Sequence, residues 1–347
     1  MVKKTKTNKK NIINALLLIL VTGLVLYFAL KDNFFTIVHE LLNLNLFWVL
    51  IAVLVFITSI IVRSYSMYFM VKKYCPEYTI GQANRLLLTT QFFNAVTPFA
   101  TGGQPFQVYT LKKDGVRIAD GTSIVVQNFI VYQIALVLLG LLAVGSNYFF
   151  HIFKANVLLQ GLTTIGFLMN TFVAVALLII MFAKKFNDKI IRFILNMINR
   201  FNFISDERKE GLIQKLEDTT KRLAKGGKYL LKDKKMFVST IALNFIGLAL
   251  LYLVPMFVLY AMGDYTSVGP FVCIASSAYV MLIGAFVPIP GGTGGLEYSY
   301  VEFFGNFISG SKLQASMLVW RFVTYYFGML LGAIALQFNT KRKKANE

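Results

Sequence analysis

Apolar residues along this chain form long blocks, separated by short charged stretches or by runs rich in glycine and proline. The first block, Ile12 to Leu30, follows Lys3, Lys4, Lys6, Lys9 and Lys10. It matches the roughly 20 residues that a membrane-spanning helix needs. It is long and lacks the small-residue exit of a cleaved signal peptide, so a retained helix is predicted over about 11–30. Blocks at about 46–70, 122–145, 157–183, 236–262 and 313–339 predict five further spans.

Two other apolar regions break this pattern. The first, about 83–111, contains Thr97-Pro98-Phe99-Ala100-Thr101-Gly102-Gly103-Gln104-Pro105. The second, about 269–309, contains Pro288-Ile289-Pro290-Gly291-Gly292-Thr293-Gly294-Gly295-Leu296-Glu297. Proline and glycine at this density end helices, and Pro98, Pro105, Pro288 and Pro290 are the expected breaks. At membrane depth, broken backbone survives only where protein or a wet cavity satisfies it.

Charge decides how these regions run. Lys and Arg outnumber Asp and Glu by 35 to 16, and they gather at the ends of the apolar blocks. If 83–111 crossed the membrane once, the connector 184–235, with its 15 Lys and Arg, would lie outside. If it enters and returns as a hairpin, Lys72, Lys73, Lys112, Lys113, Arg117 and that connector all lie inside. Lys31, Lys154 and Lys312 are then left outside. Cytoplasmic loops carry the excess of Lys and Arg, so the hairpin is predicted. The same parity makes 269–309 a hairpin from the opposite side and both termini cytoplasmic. Pro98 and Pro288 then occupy corresponding places in two inverted halves, the best sequence pointer to a transporter binding site.

The expected fold is an all-α polytopic integral membrane protein, one membrane domain over 1–347, built as an inverted-repeat bundle with two broken-helix hairpins. In the connector, Ile190, Ile191, Phe193, Ile194, Met197 and Ile198 form a stripe among Lys184, Lys185, Lys189, Arg192 and Arg200. That is the pattern of an amphipathic helix lying on an anionic leaflet.

Composition narrows the function classes. Hydrophobic residues make up 56% and charged residues 15%, against about 25% charged in soluble domains. A water-soluble fold is excluded. The net charge of +19 could suit nucleic acid, but no stacking module accompanies it, and no specific nucleic-acid partner is expected. Cys75 and Cys273 lie far apart, and neither they nor His39 and His151 have metal-ligand spacing. Gly226-Gly227-Lys228-Tyr229 lacks the spacing and final Ser/Thr of a P-loop. No catalytic residue, metal or cofactor is expected.

Three charged residues stand out instead. Glu297 follows the second glycine run, where a carboxylate at the third helical position caps free amides; in hydrocarbon it also marks a functional site. Glu302, five residues on, points about 140° away, so the two do not form an acid/base pair. Arg321 falls about 12 Å into the last span at 1.5 Å per residue. Its candidate partners are Glu297, Glu302 or a phosphate supplied by a ligand. Arg85 can snorkel to the inner interface. Asn84, Gln91, Asn94, Thr97, Thr101, Gln104 and Gln107, with Gln127, Asn128 and Gln133 nearby, suggest a hydrated groove, although interhelical bonding accounts for some of them. Gly328 and Gly332 form a small-xxx-small motif of close helix packing.

The segments Thr97–Gln107 and Pro288–Glu297 resemble the hallmark segments of the lysylphosphatidylglycerol synthase/flippase transmembrane family, which includes the membrane half of the multiple peptide resistance factor. The resemblance covers nearly the whole chain. It implies a bacterial inner-membrane protein that handles aminoacylated or other modified phospholipids, or glycolipids. Two-part members of the family carry a soluble domain that moves lysine from charged tRNA to phosphatidylglycerol. Only eleven residues follow Leu336 here, so that domain is expected to be absent. The expectation is a flippase-like lipid translocase without ATP. Its headgroup path would use Glu297, Arg321, Glu302, Thr101, Gly102, Gly103, Gln104, Gly291, Gly292, Gly294 and Gly295. The alternatives are a phosphatidylglycerol lysyltransferase, the membrane partner of a lipid-modifying transferase, or a non-transporting scaffold. Oligomeric state is not legible.

Overall fold

The computed structural model describes residues 34–153, 157–182, 226–227, 232–284 and 289–338. The span expected at 11–30, most of the connector 184–235, Pro288 and the chain from 339 onward lie outside the described residues. Among the described residues all regular structure is helical. In order these are α1 (Phe34–Leu42), α2 (Leu46–Lys72), α3 (Ile80–Ala95), α4 (Gly103–Lys113), α5 (Ile118–Phe150), α6 (Val157–Phe182), α7 (Lys234–Ala261), α8 (Pro270–Gly284), α9 (Gly295–Phe304), α10 (Gly310–Arg321) and α11 (Phe327–Ala335). A π turn, Phe322–Tyr326, joins α10 to α11 as one continuous rod. That rod and α2, α5, α6 and α7 are each long and apolar enough to cross a membrane. The protein is an all-α, multi-pass membrane protein.

Polar residues at the block edges set the helix starts. The Asn45 side chain accepts from the Phe47 amide to open α2. Thr79 and Gln82 exchange bonds in a capping box at α3, and Asp233 accepts from the Met236 amide at α7. Each satisfies an amide that the helix itself leaves free. Between the first expected span and α2 the chain forms α1, which packs on α10; Ser311 bonds Glu40 there at 3.3 Å.

Among the described residues, neither broken region contains a full span. In the first, an arm of 16 residues (α3) meets an arm of 11 (α4) across a turn at Pro98–Ala100. In the second, an arm of 15 residues (α8) meets one of 10 (α9) across a turn at Pro290–Gly292. At 1.5 Å per residue these arms are roughly 15–24 Å long, short of a hydrocarbon core about 30 Å thick. The order is the same in both: long arm, turn, short arm.

Packing relates the two halves by exchange. Among the described residues, α2 runs along α7 in the most extensive helix contact. α3 packs on α11, and its counterpart α8 packs on α5. α2 touches the π turn, and its counterpart α7 touches α5. The two turns touch each other. Gly328 makes room for Phe56 of α2, and Gly332 lets α11 approach the α3 backbone at Leu88 and Phe92. The small residues thus serve two neighbouring helices at once.

Pro98 and Pro290 open the two described turns, whereas Pro288, the counterpart of Pro98 expected from sequence, lies outside the described residues. Each of the two turn prolines is followed by two residues in the left-handed region: Phe99 and Ala100 in one, Gly291 and Gly292 in the other. Thr101 then bonds the Pro98 carbonyl at 3.0 Å, and Thr293 bonds the Pro290 carbonyl at 2.9 Å. The shared pattern is Pro-x-x-Thr-Gly-Gly, running Pro98–Gly103 and Pro290–Gly295. Pro105 breaks nothing: it lies in the first turn of α4, where its missing N–H has no intrahelical partner to lose.

Candidate functional site

Where the two hairpin turns meet, the same backbone problem is solved twice with different side chains. Each short arm begins at a Gly-Gly pair whose amides have no helical partner. In the first hairpin the solution reaches back along the chain. The Gly102 amide donates to Thr97 Oγ1 at 2.9 Å and the Gly103 amide to Asn94 Oδ1 at 3.0 Å. In the second it reaches forward, and the Gly294 amide donates to Glu297 Oε2 at 2.7 Å. Pro105 and Glu297 hold the same place relative to their turns, and Pro105 has no side chain able to cap.

The forward solution brings a carboxylate into the protein interior, and Arg321 neutralises it. Arg321 Nε donates to Glu297 Oε1 at 2.6 Å. Its Nη2 donates to the Gly291 carbonyl at 3.1 Å and approaches Thr293 Oγ1 at 3.4 Å. Both charged residues are buried, 8% exposed for Glu297 and 5% for Arg321. The guanidinium also lies over the Tyr325 ring, 4.6 Å from its centre. Tyr325 in turn donates to the Ala95 carbonyl at 3.0 Å, at the end of α3. One chain of contacts therefore runs from the first hairpin through Tyr325 and Arg321 to the second turn.

Arg321 sits twelve residues into α10, about 17 Å from its start at 1.5 Å per residue. The π turn begins at the next residue. Such turns redirect side chains by one extra residue and recur at functional sites; here the next helical turn carries Tyr325.

The expected site residues divide. Glu297, Arg321, Gly291 and Gly294 share direct bonds, and Gly292 lies in the same turn. Thr101, Gly102, Gly103 and Gln104 stand across the contact between turns, with Pro98, Phe99 and Thr101 exposed. Glu302 is separate: its carbonyl accepts from Asn306, and the partner of Arg321 is Glu297. Arg85 is held by Asp114 at 3.1 Å and donates to the Phe338 carbonyl at 2.8 Å. Three of the ten polar residues expected to line a groove close the first hairpin: Asn94 and Thr97 cap, and Gln107 bonds Thr90 at 3.0 Å. Cys75 and Cys273 are free thiols.

Sequence reading passed over Thr293 and Tyr325. The repeated Pro-x-x-Thr-Gly-Gly would have revealed the first; no linear signal points to the second. Capping in the first hairpin is directly testable. Asn94→Ala is expected to destabilise the protein by about 1 kcal/mol, the usual worth of a lost cap. It should also accelerate hydrogen exchange at Gly103, the amide that Asn94 caps, more than at Gly102, which Thr97 holds, whereas Gln104→Ala leaves exchange at both unchanged.

Kinship agrees with this architecture. Residues 12–332 match the sequence profile described as the lysylphosphatidylglycerol synthase TM region. The chain belongs to that family. This family member is also similar to a UPF0104 membrane protein of Archaeoglobus fulgidus, with 22% identity over 269 residues, covering 75% of this chain and 76% of that protein. The matched region includes both hairpins and Arg321.

Proposed function

We propose that this protein is a flippase-like translocase that moves a modified phospholipid or glycolipid between the leaflets of a bacterial inner membrane. The observation that carries the reading is the contact between the two broken turns, Pro98–Ala100 against Pro290–Gly292. Half-helices that end against each other within an apolar bundle create a local polar path, the arrangement found at the midplane of many secondary transporters. The headgroup would pass beside Thr101–Gln104 and Gly291–Gly295, with acyl tails left in lipid. A headgroup phosphate would engage Arg321, and a cationic or hydroxylated headgroup would engage Glu297, as the pair opens.

Translocation in liposomes tests this. Purified protein should accelerate exchange of a fluorescent lipid between leaflets above protein-free vesicles, using phosphatidylglycerol, its lysyl derivative and a glycolipid as probes. Exchange at the protein-free rate for all three would overturn the reading. The family's description as a synthase region favours a second reading, the membrane part of a lipid-modifying transferase. Lysyl-lipid made from charged tRNA and phosphatidylglycerol, without leaflet exchange, would establish that alternative.

The reading also sets a topology, with both termini and 184–235 in the cytoplasm and 146–156 outside. Single cysteines placed at 148 and 209 should be labelled by an impermeant maleimide in intact cells only at 148. Outside labelling at 209 would invert the hairpins and remove the basis for opposed halves.

A further inference from the structure

The Arg321 guanidinium has its counter-charge in Glu297; Arg63 does not share that arrangement. Arg63 is the only charged residue in α2 before Lys72. It lies nine residues from that end, about 14 Å at 1.5 Å per residue. The level is fixed independently, because the Lys73–Asp233 bridge, 2.6 Å long, ties the end of α2 to the start of α7. Ser66 of α2 accepts from Asn244 of α7 at 2.9 Å and donates to Asn128 of α5 at 3.1 Å. Asn244 is itself about 15 Å into its helix. Arg63 stands one turn beyond Ser66 on the same face, so it lies deeper still in the bundle.

Space has been kept for it. A Cβ on Gly247 of α7 would meet Arg63 Cγ at 2.5 Å, so the α2–α7 contact has a glycine where the arginine stem passes. Tyr132 of α5 and Tyr252 of α7 are its electrostatic neighbours. Among the described residues no carboxylate pairs with Arg63; its Nε donates to the Ser59 carbonyl at 3.2 Å. The residue is half-buried, so part of its surface remains open. A guanidinium carries five N–H donors in a planar fork suited to phosphate oxygens. A charge at this depth without a counter-charge is costly, which favours an anion beside it.

We propose that Arg63, with the hydroxyls of Tyr132 and Tyr252, forms a phosphate-binding site between α2, α5 and α7. The group bound is a phosphate, either the phosphodiester of an anionic phospholipid or a free phosphate ion. The site is separate from the Arg321–Glu297 pair and depends on the membrane fold, not on transport.

Binding is measured on the full chain in detergent, with no translocation step. Native mass spectrometry follows retention of phosphatidylglycerol, and thermal unfolding follows stabilisation by inorganic phosphate. Arg63→Met should weaken binding of the occupant about tenfold or more, because a charge-assisted contact is lost. Arg63→Lys should fall between, since it keeps the charge and loses the fork. Tyr132→Phe with Tyr252→Phe keeps both rings in place and should weaken binding several-fold, about the worth of two hydroxyl contacts. Loss of phosphatidylglycerol retention alone identifies a lipid phosphate. Loss of phosphate stabilisation, with phosphate displacing the lipid in the wild type, identifies a site open to the free ion. If Arg63→Met does not fold, the lysine and tyrosine variants decide the matter. Variants that bind both probes as the wild type does would overturn the site.

Discussion

Arg321→Ala is expected to destabilise the protein by about 3–5 kcal/mol, and Glu297→Ala by a similar amount, because each leaves a buried charge without its partner. The arginine variant also strips the Gly291 carbonyl of a donor, and the glutamate variant strips the Gly294 amide of its acceptor. The double variant should cost less than the sum of the singles by about 0.5–3 kcal/mol, the coupling of residues in contact. Capping and charge can be separated. Glu297→Gln keeps an oxygen for the Gly294 amide, so pairing it with Arg321→Met removes both charges while preserving the cap. That combination should unfold much closer to the wild type than Arg321→Met alone. Denaturant unfolding in mild detergent measures the cycle, and additive effects within about 0.3–0.5 kcal/mol would show that the two residues act independently.

Gly291→Ala should be the most damaging of the small substitutions in the second turn. Its φ of 68° lies in the left-handed region, where a side chain costs roughly 1–2 kcal/mol. A Cβ there would also overlap the Tyr325 ring, and overpacking of this kind costs about 1–3 kcal/mol more. The first turn shows that conformation alone does not demand glycine, since Phe99 adopts φ 52° at the matching position. The difference is the neighbour: Phe99 is 57% exposed, whereas Gly291 lies against the tyrosine that ties the two halves together. Gly269→Ala, with open space around its Cβ, is the control and should be nearly neutral. Equal melting temperatures for the two variants would contradict the close approach of Tyr325.

The apolar blocks of the sequence contain the long helices because a helix that must cross hydrocarbon needs a run of about 20 apolar residues, and nothing else in the chain can supply one. The blocks near 46–70, 122–145, 157–183 and 236–262 fall in α2, α5, α6 and α7. The breaks were equally legible, since Pro98 and the glycines after Pro290 cannot continue a regular helix. Glu297 as a cap followed from its distance to the glycine pair, a local relation. Arg63 was visible as a lone charge inside an apolar run and was passed over, although the physics that singled out Arg321 applies to it as well.

Partner choice was not legible. Glu297 and Arg321 are 24 residues apart, Tyr325 and Ala95 are 230 apart, and Asn244 and Ser66 are 178 apart. Periodicity describes which face of a helix is polar, but not which of several polar groups on other helices it will meet. That choice depends on how the two hairpins abut and on the one-residue shift that the π turn introduces after Arg321. The same holds for Asn94 and Thr97: their polar side chains read as the wall of a groove, yet they cap the first hairpin, where Pro105 occupies the place that Glu297 holds in the second. A broken helix must satisfy its free amides before it can offer any to a ligand, and which side chain does so is settled only once the chain has turned back on itself.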